Sequence, residues 1–119
     1  MSEPGTAKAG ATILLVDGEV LVRHALAQYL RECGYRVVEA ATSDEALTFL
    51  EDRSVPIDAV LADAQCPGTL DGFSLARHIR ESGAGVQVLL AGSPARAANE
   101  AARLCEEGPE LARPYDHQL

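Results

Sequence analysis

Ile57-Asp58-Ala59-Val60-Leu61-Ala62-Asp63-Ala64-Gln65-Cys66-Pro67-Gly68 is the stretch whose reading decides the fold. Val60, Leu61 and Ala62 form a short apolar run, Asp63 ends it, and Pro67-Gly68 force a loop. The pattern predicts a buried strand over 57–62 that delivers a carboxylate to its C-terminal end. In open parallel sheets, chemistry gathers beyond the carboxyl ends of the strands. Asp63 therefore stands where a functional carboxylate belongs, and its neighbours must decide whether it is one.

The same pattern occurs earlier. Thr12-Ile13-Leu14-Leu15-Val16 is continuously apolar, as a strand covered on both faces should be, and Asp17 ends it. Between the two stretches lie a helical period over 19–33 (Val22, Ala25, Leu26, Tyr29, Leu30, Cys33) and a stop at Gly34. Arg23, His24, Arg31 and Glu32 are read as facing solvent. A more polar strand follows over 35–40, then a helix opened by Thr42 and Glu45 at capping-box spacing.

Beyond Asp63 the chain predicts a helix from Phe73 to about Ser82 with an inner stripe of Phe73, Ala76 and Ile79. A strand over 86–91 follows. An alanine-rich helix then runs from Gly92-Ser93-Pro94 to about Glu106, with Leu104 its one large aliphatic and its packing accordingly weak. Glu110-Leu111-Ala112 reads as a short fifth strand before Arg113-Pro114. Strands alternating with helices at this spacing imply right-handed βαβ units. Five of them predict a doubly wound α/β fold with a parallel sheet of order 2-1-3-4-5. There the first and third strands are neighbours, so Asp17 and Asp63 converge. Two or three oxygens at one spot suit Mg²⁺ with positions left for water and phosphate.

The 119 residues suffice for one core, with a flexible tail at 1–11 and one domain over 12–119. Ten basic against 18 acidic side chains leave a net charge of −8, which disfavours nucleic acid or an anionic membrane as partner. No run approaches a membrane span, and the first ten residues lack the apolar centre of a secretion signal. Cys33, Cys66 and Cys105 are far apart and odd in number. They are expected to be reduced thiols in a cytoplasmic protein. His24 and His78 have no His or Cys at ligand spacing and are expected to be solvated.

The ordered set Ile13-Leu14-Leu15-Val16-Asp17-Gly18-Glu19, Gly34 to Ala40, Asp58 to Asp63, Pro67 to Gly72 and Arg113-Pro114-Tyr115-Asp116 resembles the receiver domain of two-component response regulators. The resemblance covers the chain from Thr12 to Asp116. It implies a flavodoxin-like receiver, a signalling module and not an enzyme. Such a module accepts a phosphoryl group on Asp63 from a histidine kinase or phosphotransfer protein. It acts on a downstream protein target. Mg²⁺ is implied at Asp17, Asp63 and the backbone carbonyl of Gln65, with Glu19 a further candidate.

Four departures weaken that picture. The family's second acidic residue after the first strand is Gly18 here, so Mg²⁺ binding is expected to be weak and Gly18→Asp to tighten it. The phosphate-contacting hydroxyl position holds Ala91, with Ser93 two residues on. Arg113 replaces the Lys and Glu110 the aromatic switch residue. An Arg keeps the charge but not the shape of a Lys. The alternative reading is a phosphorylation-independent pseudo-receiver that binds proteins. An aspartate-nucleophile phosphatase is disfavoured, because Glu19 stands where the second Asp of that motif belongs. The fifth helix is short or missing, since only Tyr115 to Leu119 remain. The sheet beside Leu15 and Leu61 should then be partly bare, which predicts a homodimer through that face, or through the face of the weak fourth helix and the short fifth strand next to it.

Overall fold

The computed structural model describes residues 10–108. Four strands alternate with four helices there: β1 (Thr12–Val16), α1 (Val20–Glu32), β2 (Arg36–Ala40), α2 (Ser43–Glu51), β3 (Ala59–Asp63), α3 (Gly72–Glu81), β4 (Gln87–Ala91) and α4 (Pro94–Glu107). The sheet is parallel, in the order β2-β1-β3-β4. The expected order thus holds for four strands, and the sheet described is four-stranded. The fifth strand expected at Glu110–Ala112 and the shortened fifth helix lie outside the described residues. So does most of the expected tail, although Ala11 is buried and its carbonyl accepts from the Arg36 N–H at 3.1 Å.

Strand alternation sorts the core into two layers. Ile13, Leu15, Ala59 and Leu61 point to one face, against Leu26, Ala27 and Leu30 of α1 and Ala97, Ala101 and Leu104 of α4. Leu14, Val16, Val60 and Ala62 point to the other, against Ala46 of α2 and Leu75 and Ile79 of α3. β1 and the apolar part of β3 are covered on both sides, which is why they read as unbroken apolar runs.

Four expectations are corrected here. First, α1 is turned slightly from its predicted face. Ala27 is fully buried, whereas Tyr29 is 42 % exposed. Second, Arg23 does not face solvent, because its guanidinium bonds Glu39 at 3.0 Å and the Asp17 carbonyl at 3.0 Å. Third, Phe73 is 61 % exposed and Leu75 takes its inner position. Helix α3 starts earlier than predicted, at Gly72, with Asp71 accepting from the Ser74 N–H. Fourth, Cys33 and Cys105 are not reduced thiols but a disulfide with Cα atoms 5.5 Å apart. Spacing along the chain is blind to a pairing made only when α1 and α4 share a face.

The expected bare face is not bare. Leu15 and Leu61 are each 1 % exposed, because α4 lies over them beside α1. The reason for expecting a homodimer through that surface is thereby removed. The helix is short of large side chains, as predicted, but alanines suit a close approach to the sheet. Ser93 caps it by accepting from the Arg96 N–H, and Pro94 occupies the first turn, where its missing N–H costs nothing.

Candidate functional site

The C-terminal edge of the sheet is built by register. Val16 lies opposite Ala62, so the next residues, Asp17 and Asp63, leave adjacent strands side by side. Asp17 is buried, its backbone N–H donates to the Ala40 carbonyl, and its Oδ1 accepts from the Glu19 N–H at 2.9 Å. Burial raises its pKa above the usual carboxylate value, the Glu19 N–H opposes that, and the charge of Asp63 raises it further. Two carboxylates therefore repel each other at the strand ends, and a cation placed between them would relieve that repulsion.

Asp63 is half-buried, and its Oδ1 accepts from the Gln65 N–H at 3.1 Å. Its carbonyl is closely approached by Gly72, where a Cβ would come within 2.4 Å of the oxygen. Only glycine lets α3 begin that near the site. Gly18 has a similar reason. A Cβ there would lie 2.6 Å from Cγ of Pro67. The proline that ends the Asp63 loop thus packs where an acidic side chain at 18 would have to start, and Gly18→Asp is not a simple repair.

The loop from Ala64 to Asp71 is tied to the start of α2, a connection the sequence reading missed. Ser43 is fully buried, its N–H donates to the Pro67 carbonyl at 2.9 Å, and its hydroxyl accepts from the Leu70 N–H at 3.0 Å. Asp44 accepts from the Thr69 N–H at 3.0 Å, which holds its carboxyl below the usual range. The available signal was Thr42-Ser43-Asp44-Glu45, read as a capping box alone. That cap is present as well: Thr42 accepts from the Glu45 N–H, and Glu45 accepts from the Ala41 N–H.

The other expected positions fall as follows. Glu19 is exposed at the N-cap of α1, and its side chain caps nothing. Gln65 is exposed beside Asp63. Ala91 is buried opposite Asp63, and its carbonyl accepts from the Ala64 N–H. Ser93 does not replace the missing hydroxyl, since it caps α4. Arg113 and Glu110 lie outside the described residues. His24 and His78 are exposed, with His24 4.0 Å from Glu39. No group of three or more metal-ligating side chains occurs among the described residues. No helix among them is long and apolar enough to cross a membrane.

A family model, the response regulator receiver domain, matches residues 13–109. The chain belongs to the response regulator receiver family. It is 39 % identical over 67 residues to the two-component response regulator-like protein PRR37 of Oryza sativa subsp. indica, covering 56 % of this chain and 9 % of that protein. It is 38 % identical over 71 residues to the phosphate regulon transcriptional regulatory protein PhoB of Pseudomonas aeruginosa, covering 60 % of this chain and 30 % of that protein. The receiver domain of NtrX from Brucella abortus superposes with a TM-score of 0.60 at 31 % identity, over 76 % of this chain and 77 % of that one. The chain thus spans less than a third of these curated relatives. It is the receiver module of a two-component system, a class of signalling domain that generally takes a phosphoryl group on aspartate with Mg²⁺ and meets histidine kinases or phosphotransfer proteins.

Proposed function

We propose that this receiver accepts a phosphoryl group on Asp63 and passes the signal on through protein contacts, with a weakened metal site and a weakened switch. The observation that carries the reading is the pairing of Asp17 and Asp63 at the ends of adjacent strands, with burial and mutual charge disfavouring ionised Asp17. The donors suit a hard cation with few protein ligands: two carboxylates and the Gln65 carbonyl, the remaining positions taken by water and phosphate. When bound, Mg²⁺ would supply neutralisation of the nucleophile and of the incoming phosphoryl oxygens.

The residues of the chain account for the rest. The Gln65 N–H orients Asp63 by holding Oδ1, and Oδ2 takes no hydrogen bond among the described residues. Oδ2 then attacks phosphorus, the bond to the donor breaks, and an acyl phosphate forms. Ala91 offers the phosphoryl group no hydroxyl. A hydrogen bond to a charged group is worth roughly 1.5–3 kcal/mol, and allosteric couplings are typically about 1–3 kcal/mol. Loss of that one bond removes a term as large as the usual coupling. Partners in this reading are a histidine kinase or phosphotransfer protein upstream and a protein target downstream, in the cytoplasm.

One observation favours the second reading, a pseudo-receiver that binds proteins without phosphorylation: Ser93 is committed to its cap, so nothing described compensates for Ala91. Labelling with acetyl phosphate and Mg²⁺, followed by intact mass, decides between them. Slow incorporation that vanishes in Asp63→Asn is expected. An unlabelled wild-type chain would establish the second reading.

A further inference from the structure

Helix α4 covers β1 and β3 with little apolar surface of its own, burying only Ala97, Ala101 and Leu104. Beneath it lie Ile13, Leu15, Ala59 and Leu61, all fully buried. Two attachments hold its far end. Cys105 is bonded to Cys33, the C-cap of α1. The hydroxyl of Tyr35 is shared between the carbonyls of Leu104 and Gly108. Tyr35 is itself buried, and burial together with the charge of Glu107 pushes its pKa up to about 12, so the donor stays protonated. Both anchors flank Gly34, whose φ of 103° turns the chain sharply between them. The near end of α4 leaves the sheet through Gly92, around whose missing Cβ no atom lies within 4 Å. The helix is a strap, open at the hinge and fastened at the tip.

We propose that Cys33 and Cys105 form a redox-operated latch, which holds α4 on the sheet when oxidised and lets it lift when reduced by a dithiol protein. The step balances. A thiolate of the reductant attacks one sulfur, the Cys33–Cys105 bond breaks, and the leaving sulfur takes a proton. The reductant's second thiol then displaces the remaining cysteine as its own disulfide forms, so two electrons and two protons pass to the receiver. Disulfides in reducing compartments are mostly transient and redox-sensing, which is the behaviour assigned here. The bond spans 72 residues, so its loss loosens the unfolded and partly opened ensembles substantially. Cys66 takes no part, being buried on the opposite face with its thiol raised by burial. Nothing in the latch involves Asp63, and it stands whether or not that residue is phosphorylated.

Hydrogen exchange read by mass spectrometry on the full chain tests this, in glutathione disulfide and then in dithiothreitol. Amides of 94–107 are expected to exchange about tenfold faster or more after reduction, with α2 and α3 little changed. A chain carrying both Cys33→Ser and Cys105→Ser should behave as the reduced form in either buffer. Tyr35→Phe should enlarge the response, since it removes the second anchor. An Asp63→Asn chain should respond as wild type does, which separates failure of the latch from failure of the phosphoacceptor reading. Three alkylatable thiols after oxidation, a bond that native chain keeps in dithiothreitol, or unchanged exchange in α4 would each overturn the proposal.

Discussion

The two faces of the sheet are closed by different means. On the α2–α3 face, large side chains do the covering: Leu75 and Ile79 of α3 share one core cluster with Leu14, Val16 and Val60. The site loop is sewn to α2 there by Ser43 and Asp44. On the α1–α4 face, Leu26 and Leu30 of α1 share the covering with an α4 that buries two alanines and one leucine, and a disulfide and one tyrosine hydroxyl hold that last helix. Leucine packing is cooperative and insensitive to redox conditions. A cross-link over two alanines and a single leucine is not. The difference teaches that this domain keeps its site on a rigid base and leaves its last described helix conditional.

The comparison can be broken most directly at the cross-link. Reducing the Cys33–Cys105 bond should cost about 4 kcal/mol if its effect is loop entropy in the unfolded chain. Urea melts with and without reductant measure it, and a shift under 1 kcal/mol, roughly the worth of a single hydrogen bond, would mean α4 needs no cross-link. Next in size, Leu75→Ala should cost about 3 kcal/mol. That cost should be the same in both redox states, since distant sites add. A redox-dependent cost would show that the faces are coupled.

Gly18→Asp sharpens the comparison at the site. Overpacking against Pro67 should destabilise the fold by about 2 kcal/mol, instead of simply restoring a metal ligand. A melt of normal stability combined with tighter Mg²⁺ binding by titration would show that the Pro67 ring yields. The smallest effect has the opposite sign. The folded-state pKa of Asp17 is raised, so the folded chain binds more protons than the unfolded one between the two pKa values. Its contribution is therefore complete at pH below the unfolded value and is lost as pH rises through the folded one. At neutral pH, ionised Asp17 is a net cost, and Asp17→Asn should stabilise the chain by about 1 kcal/mol while impairing labelling of Asp63. Thermal melts at pH 3.5 and 7 check it, because the gain should shrink at the lower value.

Much of this was legible in residue order. The apolar runs ending in Asp17 and Asp63 specified buried parallel strands, since a strand covered on both faces admits no polar alternation. The helix cap at Thr42 was equally readable, as local hydrogen bonds depend only on neighbours along the chain. From those, four strands in order and a carboxylate pair followed. Which side of the sheet α4 would cover was not readable, because two alanines and a leucine suit either face. Pairing of Cys33 with Cys105 follows from that choice and was hidden with it. The obstruction at Gly18 belongs to the same class, for Pro67 reaches it only when β1 and β3 lie side by side. Local chemistry determined the elements and the acidic site of this protein; contacts between residues far apart in sequence decided how its last helix is held and how little room a side chain at position 18 would have.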